Sequence, residues 1–159
     1  MKHTLDSMDD WLASRMALAG LPALRLSLAI IFIWFGALKP MGHSSATALV
    51  MATVDWMPFF TPAGWVAIIG WWEVAIGVCF LFQSTLRLAI LLLLLQMVGT
   101  FMPLVILPGV TFQPGMVPWA PTLEGQYIIK NLLILSAALV VGGTVRTPRT
   151  PSGPADSGS

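Results

Sequence analysis

The sequence predicts an all-α membrane protein: a bundle of four transmembrane helices with a short outer interfacial helix and a cytoplasmic, amphipathic N-terminal helix. Of its 159 residues, 57% are hydrophobic and only 9% are charged, whereas about a quarter of the residues in a soluble domain are charged. The mean hydropathy is +0.84. Four apolar segments also approach the roughly 20 residues that a helix needs to cross the hydrocarbon layer.

The four apolar segments predict one membrane domain, residues 21–143. Only residues 83–85 connect the second span to the third, and short connections favour neighbouring helices packed as a compact bundle. The predicted spans are residues 21–39, 62–82, 86–107 and 125–143.

Four flanking or connecting segments are not predicted to span. Residues 1–20 place Met8, Trp11, Leu12 and Met16 at helical spacing, which indicates an amphipathic helix on the cytoplasmic surface. Residues 44–60 are too short to cross a bilayer and predict a helix at the outer interface. The proline-rich residues 108–122 predict an extended outer loop, and the Pro/Ser/Gly-rich residues 144–159 predict a disordered cytoplasmic tail.

Lys and Arg near the span ends predict the orientation, because cytoplasmic loops are enriched in these residues. Two cations, Lys39 and Lys130, fall on one side, and six fall on the other. We therefore expect both termini in the cytoplasm. The six cytoplasmic cations are Lys2, Arg15, Arg25, Arg87, Arg146 and Arg149.

Cysteine and histidine usage excludes several chemistries. The single cysteine, Cys79, cannot form an internal disulfide or a CxxC redox pair. The two histidines, His3 and His43, cannot ligate a haem between them across the bundle. We predict no metal site. We also predict no nucleic-acid partner, because no basic-aromatic motif is present.

Polar residues inside the spans are the candidate site, because intramembrane ionisable groups are costly and usually functional. Glu73 and Gln96 fall near the middle of the second and third spans, and Lys130 falls inside the outer end of the fourth. Side chains in a helix lean toward its N-terminus, so Glu73 leans outward. The sequence therefore predicts a polar ligand pocket toward the outer side. Its predicted members are Glu73, Lys130, Lys39, Gln96 and Asn131, with His43 and Trp72 as lining residues.

A structural interpretation stays open for the same residues. A Glu–Lys pair fixes helix order without binding anything, and Lys39 and Lys130 are long enough to extend to the headgroups.

Several runs resemble the DoxX-like membrane protein superfamily, closest to the YkgB/RclC group, which includes a reactive-chlorine resistance protein. The first span, RLSLAIIFIWFGALK, resembles the family's first helix, and WWEVAIGVCFLF resembles its Glu-x-x-x-Gly helix. The run TLEGQYIIKNLLILSAALVV resembles the group's Gly-x-x-x-x-Lys-(Asp/Asn)-Leu entry into the last helix, with Asn131 where an aspartate is expected.

The resemblance implies a small four-helix protein of the bacterial inner membrane. Relatives are associated with oxidative or chlorine stress and with membrane oxidoreductase assemblies. We expect a stress-response or redox-associated subunit that binds a quinone or another small ligand, with a redox partner protein or a second copy as its neighbour. No flavin or metal motif is present, so catalysis by this chain alone is not expected.

Two other functions stay open. A small proton-coupled transporter would use Glu73 beside Trp71 and Trp72, as small multidrug exporters use a membrane-embedded Glu; a buried lysine that neutralises the carboxylate argues against this. A non-catalytic scaffold would use the polar residues only to fix helix packing.

Overall fold

The computed structural model describes residues 2–145, and this part of the chain is built from α-helices and short 3₁₀ turns. The 3₁₀ turns are Gln83–Thr85 and Gly143–Val145. The helices are α1 Lys2–Leu38, α2 Thr47–Val54, α3 Pro62–Leu81, α4 Leu86–Phe101, α5 Pro103–Ile106, α6 Pro108–Thr111 and α7 Leu123–Gly142.

The four predicted spans are confirmed. Helices within Met8–Leu38, Pro62–Leu81, Gln83–Ile106 and Leu123–Val145 are long and apolar enough to cross a membrane. The chain is therefore a multi-pass membrane protein. Helix α1 ends, and α3 and α7 begin, at one end of the bundle, which we call the loop end. At the opposite end α3 leads into α4 and α7 ends; we call this the tail end.

Helix α1 runs without a break from Lys2 to Leu38, so the predicted N-terminal helix and the first span form one helix. The helix continues through Pro22 and is about 55 Å long at 1.5 Å per residue. Proline costs one backbone hydrogen bond, but alanines at 13, 17, 19 and 23 and several leucines favour the helix on both sides. Residues 8–20 are exposed, so this part of α1 extends past the rest of the bundle. Its position on the membrane surface stays a prediction.

The longer connections at the loop end are partly helical. Helix α2 lies within the segment 44–60 and packs against α3, with Thr53 and Val54 buried; its depth in the bilayer stays a prediction. The prediction of an extended loop over 108–122 is wrong, since α6 and an antiparallel bridge between Phe112 and Pro121 fold it back on itself. Pro108 lies in the first turn of α6, where a missing N–H costs nothing.

The hydrophobic core runs between α1, α3, α4 and α7. Its completely buried members are Ala29, Ile76, Phe80, Leu86, Ala89 and Leu93. Many large apolar side chains on the outside of the same helices are exposed, as expected where the neighbour is lipid rather than protein. The predicted disordered tail lies outside the described residues from position 146 onward; Thr144 and Val145 belong to the last 3₁₀ turn.

The start of α7 is held against the folded 108–122 segment. The Thr122 hydroxyl caps the helix by accepting the Gly125 N–H at 3.2 Å, and it donates to the Val110 carbonyl at 2.7 Å. A Cβ at Gly125 would lie 2.0 Å from the Thr111 carbonyl oxygen. Only glycine therefore allows α7 to begin this close to the backbone of α6.

Substituting Gly125→Ala is expected to detach the start of α7 from α6, because backbone atoms cannot rotate away from the new methyl group. Overpacking of this kind costs about 1–3 kcal/mol or more. Thermal unfolding of the detergent-solubilised protein measures the loss. Gly109→Ala is the matched control in the same loop, since a Cβ there has no neighbour within 4 Å; equal losses in the two variants would contradict the explanation.

Candidate functional site

Glu73 and Lys39 form an ion pair between α3 and the residue that follows α1. The Lys39 Nζ donates to the Glu73 Oε2, and the side chains are only 8% and 13% exposed, respectively. Among the side chains of residues 8–145, no other carboxylate oxygen lies within 4.0 Å of a lysine, arginine or histidine nitrogen. This contact places the Glu73 carboxylate against protein rather than lipid.

Gln96 on α4 completes the cluster. Its Nε2 donates to the Glu73 Oε1 at 3.0 Å, so each carboxylate oxygen has a partner. The Thr100 hydroxyl donates to the Gln96 backbone carbonyl at 3.0 Å, one turn further along the same helix. The cluster Lys39–Glu73–Gln96 therefore joins α1, α3 and α4, and we refer to it as the polar cluster.

Glycines bring the backbones of α1 and α3 close enough for the ion pair. A Cβ at Gly36 would lie 2.8 Å from the Gly70 carbonyl oxygen and 2.9 Å from the Glu73 Cβ. A Cβ at Gly70 would lie 2.7 Å from the Gly36 carbonyl oxygen and 2.8 Å from the Lys39 Cβ. Each glycine precedes its charged residue by three positions, so glycine and charge occupy one helix face.

Among the described side chains, neither Lys130 nor Asn131 forms a hydrogen bond or ion pair with the polar cluster. Lys130 is exposed on α7, and its Nζ lies 5.4 Å from the centre of the Tyr127 ring, a cation–π contact with the residue one turn closer to the loop end. The Asn131 amide donates to the backbone carbonyls of Tyr127 and Ile128, at 2.9 and 3.1 Å. The hydrogen bonds of Asn131 are thus local to its own helix.

The two predicted lining residues are not hydrogen-bonded to the cluster either. Trp72 is 37% exposed, and its Nε1 donates to the Leu92 carbonyl at 3.2 Å, which ties α3 to α4 on an outer face. His43 is exposed in the turn after α1, where its backbone N–H donates to the Leu38 carbonyl at 3.0 Å.

The polar cluster still has unused hydrogen-bonding capacity. The Lys39 ammonium group has three N–H donors, and the Gln96 amide has two N–H donors and an acceptor oxygen. Glu73 accepts from one donor of each residue. The pair of opposite charges makes the cluster neutral as a whole. Such a group suits a neutral, polar ligand better than an ion, and the surrounding apolar helices strengthen any hydrogen bond formed there. In the part of the chain whose side chains the structure describes, residues 8–145, no group of three His, Cys, Asp or Glu is arranged to hold a metal ion.

One polar contact at the tail end was not predicted. Arg25 on α1 donates from Nη1 to the Gln83 side-chain oxygen in the turn between α3 and α4. The sequence carries a signal for it, because Gln83 is the first polar residue after the second span and Arg25 lies near the same boundary. The partner could not be chosen from sequence, since Ser84 and Thr85 stand beside it.

Comparison with models of known protein families, with curated proteins and with solved structures gives no match. The role of the polar cluster is therefore inferred from its own geometry and from the sequence.

Proposed function

We propose that this chain is a small, DoxX-like subunit of the bacterial cytoplasmic membrane, related to the YkgB/RclC group and active in oxidative or chlorine stress. Its working part is the polar cluster, which binds a small ligand such as a quinone. One observation carries the proposal: Glu73, with both oxygens partnered, lies inside a predominantly apolar span and contacts Lys39 and Gln96. Burying charges in such surroundings costs free energy. The charged residues are therefore expected either to serve a function or to fix the packing of the helices.

The proposed topology places both termini in the cytoplasm. Arg25 and Arg87 lie toward the tail end, whereas Lys39 and Lys130 lie toward the loop end. Positively charged residues accumulate on the cytoplasmic side of membrane proteins. The loop end therefore faces outward, and a ligand reaches the polar cluster from the outer half of the bilayer.

A quinone matches the polar cluster in chemistry. Its ring is apolar and suits the surrounding side chains, while its carbonyl oxygens accept hydrogen bonds from an ammonium or an amide. Lys39 follows the last residue of α1, so a ligand that enters from the loop end would meet its ammonium group first. Binding by these residues requires no chemistry from the chain itself, in keeping with a non-catalytic subunit.

Native mass spectrometry of the full chain released gently from its own membrane tests the proposal. We expect a stoichiometric small-molecule mass on the wild type and at least a tenfold loss of occupancy in Glu73→Gln, because a neutral amide no longer holds the Lys39 ammonium in place. Glu124→Gln is the matched control: Glu124 is an exposed carboxylate in the first turn of α7.

Two outcomes would overturn ligand binding at the polar cluster. One is a wild-type protein that carries only bulk lipid, and the other is a small-molecule mass retained equally by both variants. Thermal unfolding of Glu73→Gln, measured in parallel, separates loss of ligand from loss of the fold.

A scaffold is the second candidate function, and the glycine contacts favour it. Gly36, Gly70 and the ion pair lie on one contact between α1 and α3, so the pair also fixes the register of these helices. In that case a redox partner protein or a second copy of the chain binds elsewhere. A proton-coupled transporter is less well supported, because Lys39 already neutralises the one carboxylate in the middle of the spans.

A further inference from the structure

The tail end carries two arginines beside two clefts. A cleft of about 200 Å³ is lined by residues of α1 and α7 together with Arg25 and Gln83. A second cleft, of about 430 Å³, is lined by Arg87 and Ile90 of α4 and by the end of α7. The 3₁₀ turn Gly143–Val145 contributes to both, so the two clefts lie on either side of it.

Hydrogen-bond donors face the smaller cleft. The Arg25 guanidinium has five N–H groups, and Gln83 accepts from one nitrogen. That contact holds the Gln83 oxygen, which leaves the Gln83 NH₂ group free to donate as well. Thr144, also in the lining, donates its hydroxyl to the Val141 carbonyl at 2.7 Å, and its oxygen can still accept.

No carboxylate in the described part of the chain pairs with Arg25 or Arg87 at the tail end. Neither Arg25 nor Arg87 has an acidic oxygen within 4.0 Å in the described part of the chain. Along α1, Asp10 is about 22 Å from Arg25 in one direction, and Lys39, which leads to Glu73, is about 21 Å away in the other. At a membrane boundary, such charges attract anions.

We propose that the tail end binds a phosphate-bearing anion, with Arg25 in one cleft and Arg87 in the other. Guanidinium groups match phosphate oxygens in a two-pronged geometry. Basic pockets between transmembrane helices on the cytoplasmic side take the headgroups of anionic phospholipids. Two clefts around one turn suit a headgroup with two phosphates, such as cardiolipin; free phosphate shares the chemistry. This site is separate from the polar cluster and stands whether or not the cluster binds a ligand.

The test is a titration of the purified full chain in a neutral detergent, followed by native mass spectrometry. The probes are cardiolipin, phosphatidylcholine and inorganic phosphate. Each basic residue near a membrane surface contributes about 1 kcal/mol, so removing both charges in Arg25→Gln/Arg87→Gln is expected to weaken cardiolipin binding about 30-fold. Arg15→Gln is the matched control, because Arg15 lies over Trp11 on the exposed part of α1; we expect no change in it.

A second variant guards against misfolding. Arg25→Lys/Arg87→Lys keeps both charges but loses the two-pronged contacts. It is expected to bind cardiolipin more weakly than the wild type and more tightly than the Gln double variant, an order that a merely structural role of the guanidinium groups would not predict. Arginine-dependent binding of inorganic phosphate that displaces cardiolipin would assign the site to free phosphate. Equal affinity for cardiolipin and phosphatidylcholine, or an unchanged affinity in the Gln double variant, would overturn the proposal.

Discussion

Replacing Glu73 or Lys39 alone by leucine is expected to destabilise the protein by about 3–5 kcal/mol, because each change leaves an unpaired charge in an apolar bundle. Replacing both together is expected to restore most of the loss, since two leucines need no partner. The solubilised protein is titrated with sodium dodecyl sulfate while its helix content is monitored. The free energies of unfolding of the wild type, the two single variants and the double variant form a double-mutant cycle. A large coupling energy is the expected result.

Lys130→Leu is the control for this cycle. Lys130 is exposed and contacts Tyr127 rather than a carboxylate, so we expect a change of less than about 1 kcal/mol. If Lys130→Leu also couples to Glu73→Leu, the two residues share a site and the arrangement described above is incomplete.

The double variant further separates two functions: a stable Glu73→Leu/Lys39→Leu protein that still confers stress protection supports the scaffold over the ligand-binding subunit.

Gly70→Ala is expected to separate α1 from α3. The new methyl carbon would lie 2.6 Å from the Pro40 Cδ, 2.7 Å from the Gly36 carbonyl oxygen and 2.8 Å from the Lys39 Cβ. A backbone oxygen and a proline ring cannot move aside by changing rotamer, so we expect a loss of about 3 kcal/mol or more. The same shift would pull Lys39 away from Glu73, and ligand occupancy should fall together with stability.

Gly99→Ala is the matched control on a neighbouring span. Gly99 lies in α4, and a Cβ there has no neighbour within 4 Å. Alanine is the better helix former by about 1 kcal/mol, so this variant is expected to be as stable as the wild type or slightly more stable. Unfolding measured in the same detergent titration compares the two; a loss in Gly99→Ala equal to that in Gly70→Ala would mean that any added methyl group is harmful.

The membrane spans could be predicted well because hydropathy and length are properties of a segment by itself. Backbone groups in hydrocarbon must bond within their own helix, so a long apolar run has one stable outcome. The predicted N-terminal helix and the first span form one helix, which continues through Pro22. Proline signals a break in water-soluble helices, but the flanking leucines and alanines keep α1 helical through it. The folding of 108–122 depended on contacts with α7, which no local pattern reveals.

The polar residues illustrate the same limit. Depth along a helix predicted that Glu73, Gln96 and Lys39 could meet, and the structure brings these three together. Depth alone also placed Lys130 with them, but it says nothing about which way a helix is rotated. In the structure, the rotation of α7 leaves Lys130 on the exposed side.

The sequence by itself determined that this protein crosses the membrane with four helices and places a carboxylate near the middle of the second. Those properties follow from local hydrophobicity, which water and lipid impose on each segment separately. Only the tertiary structure decided which lysine neutralises Glu73. That choice depends on how closely two helices approach, and the approach is set by Gly36 and Gly70 meeting across the α1–α3 contact, where a single methyl group would keep the charges apart.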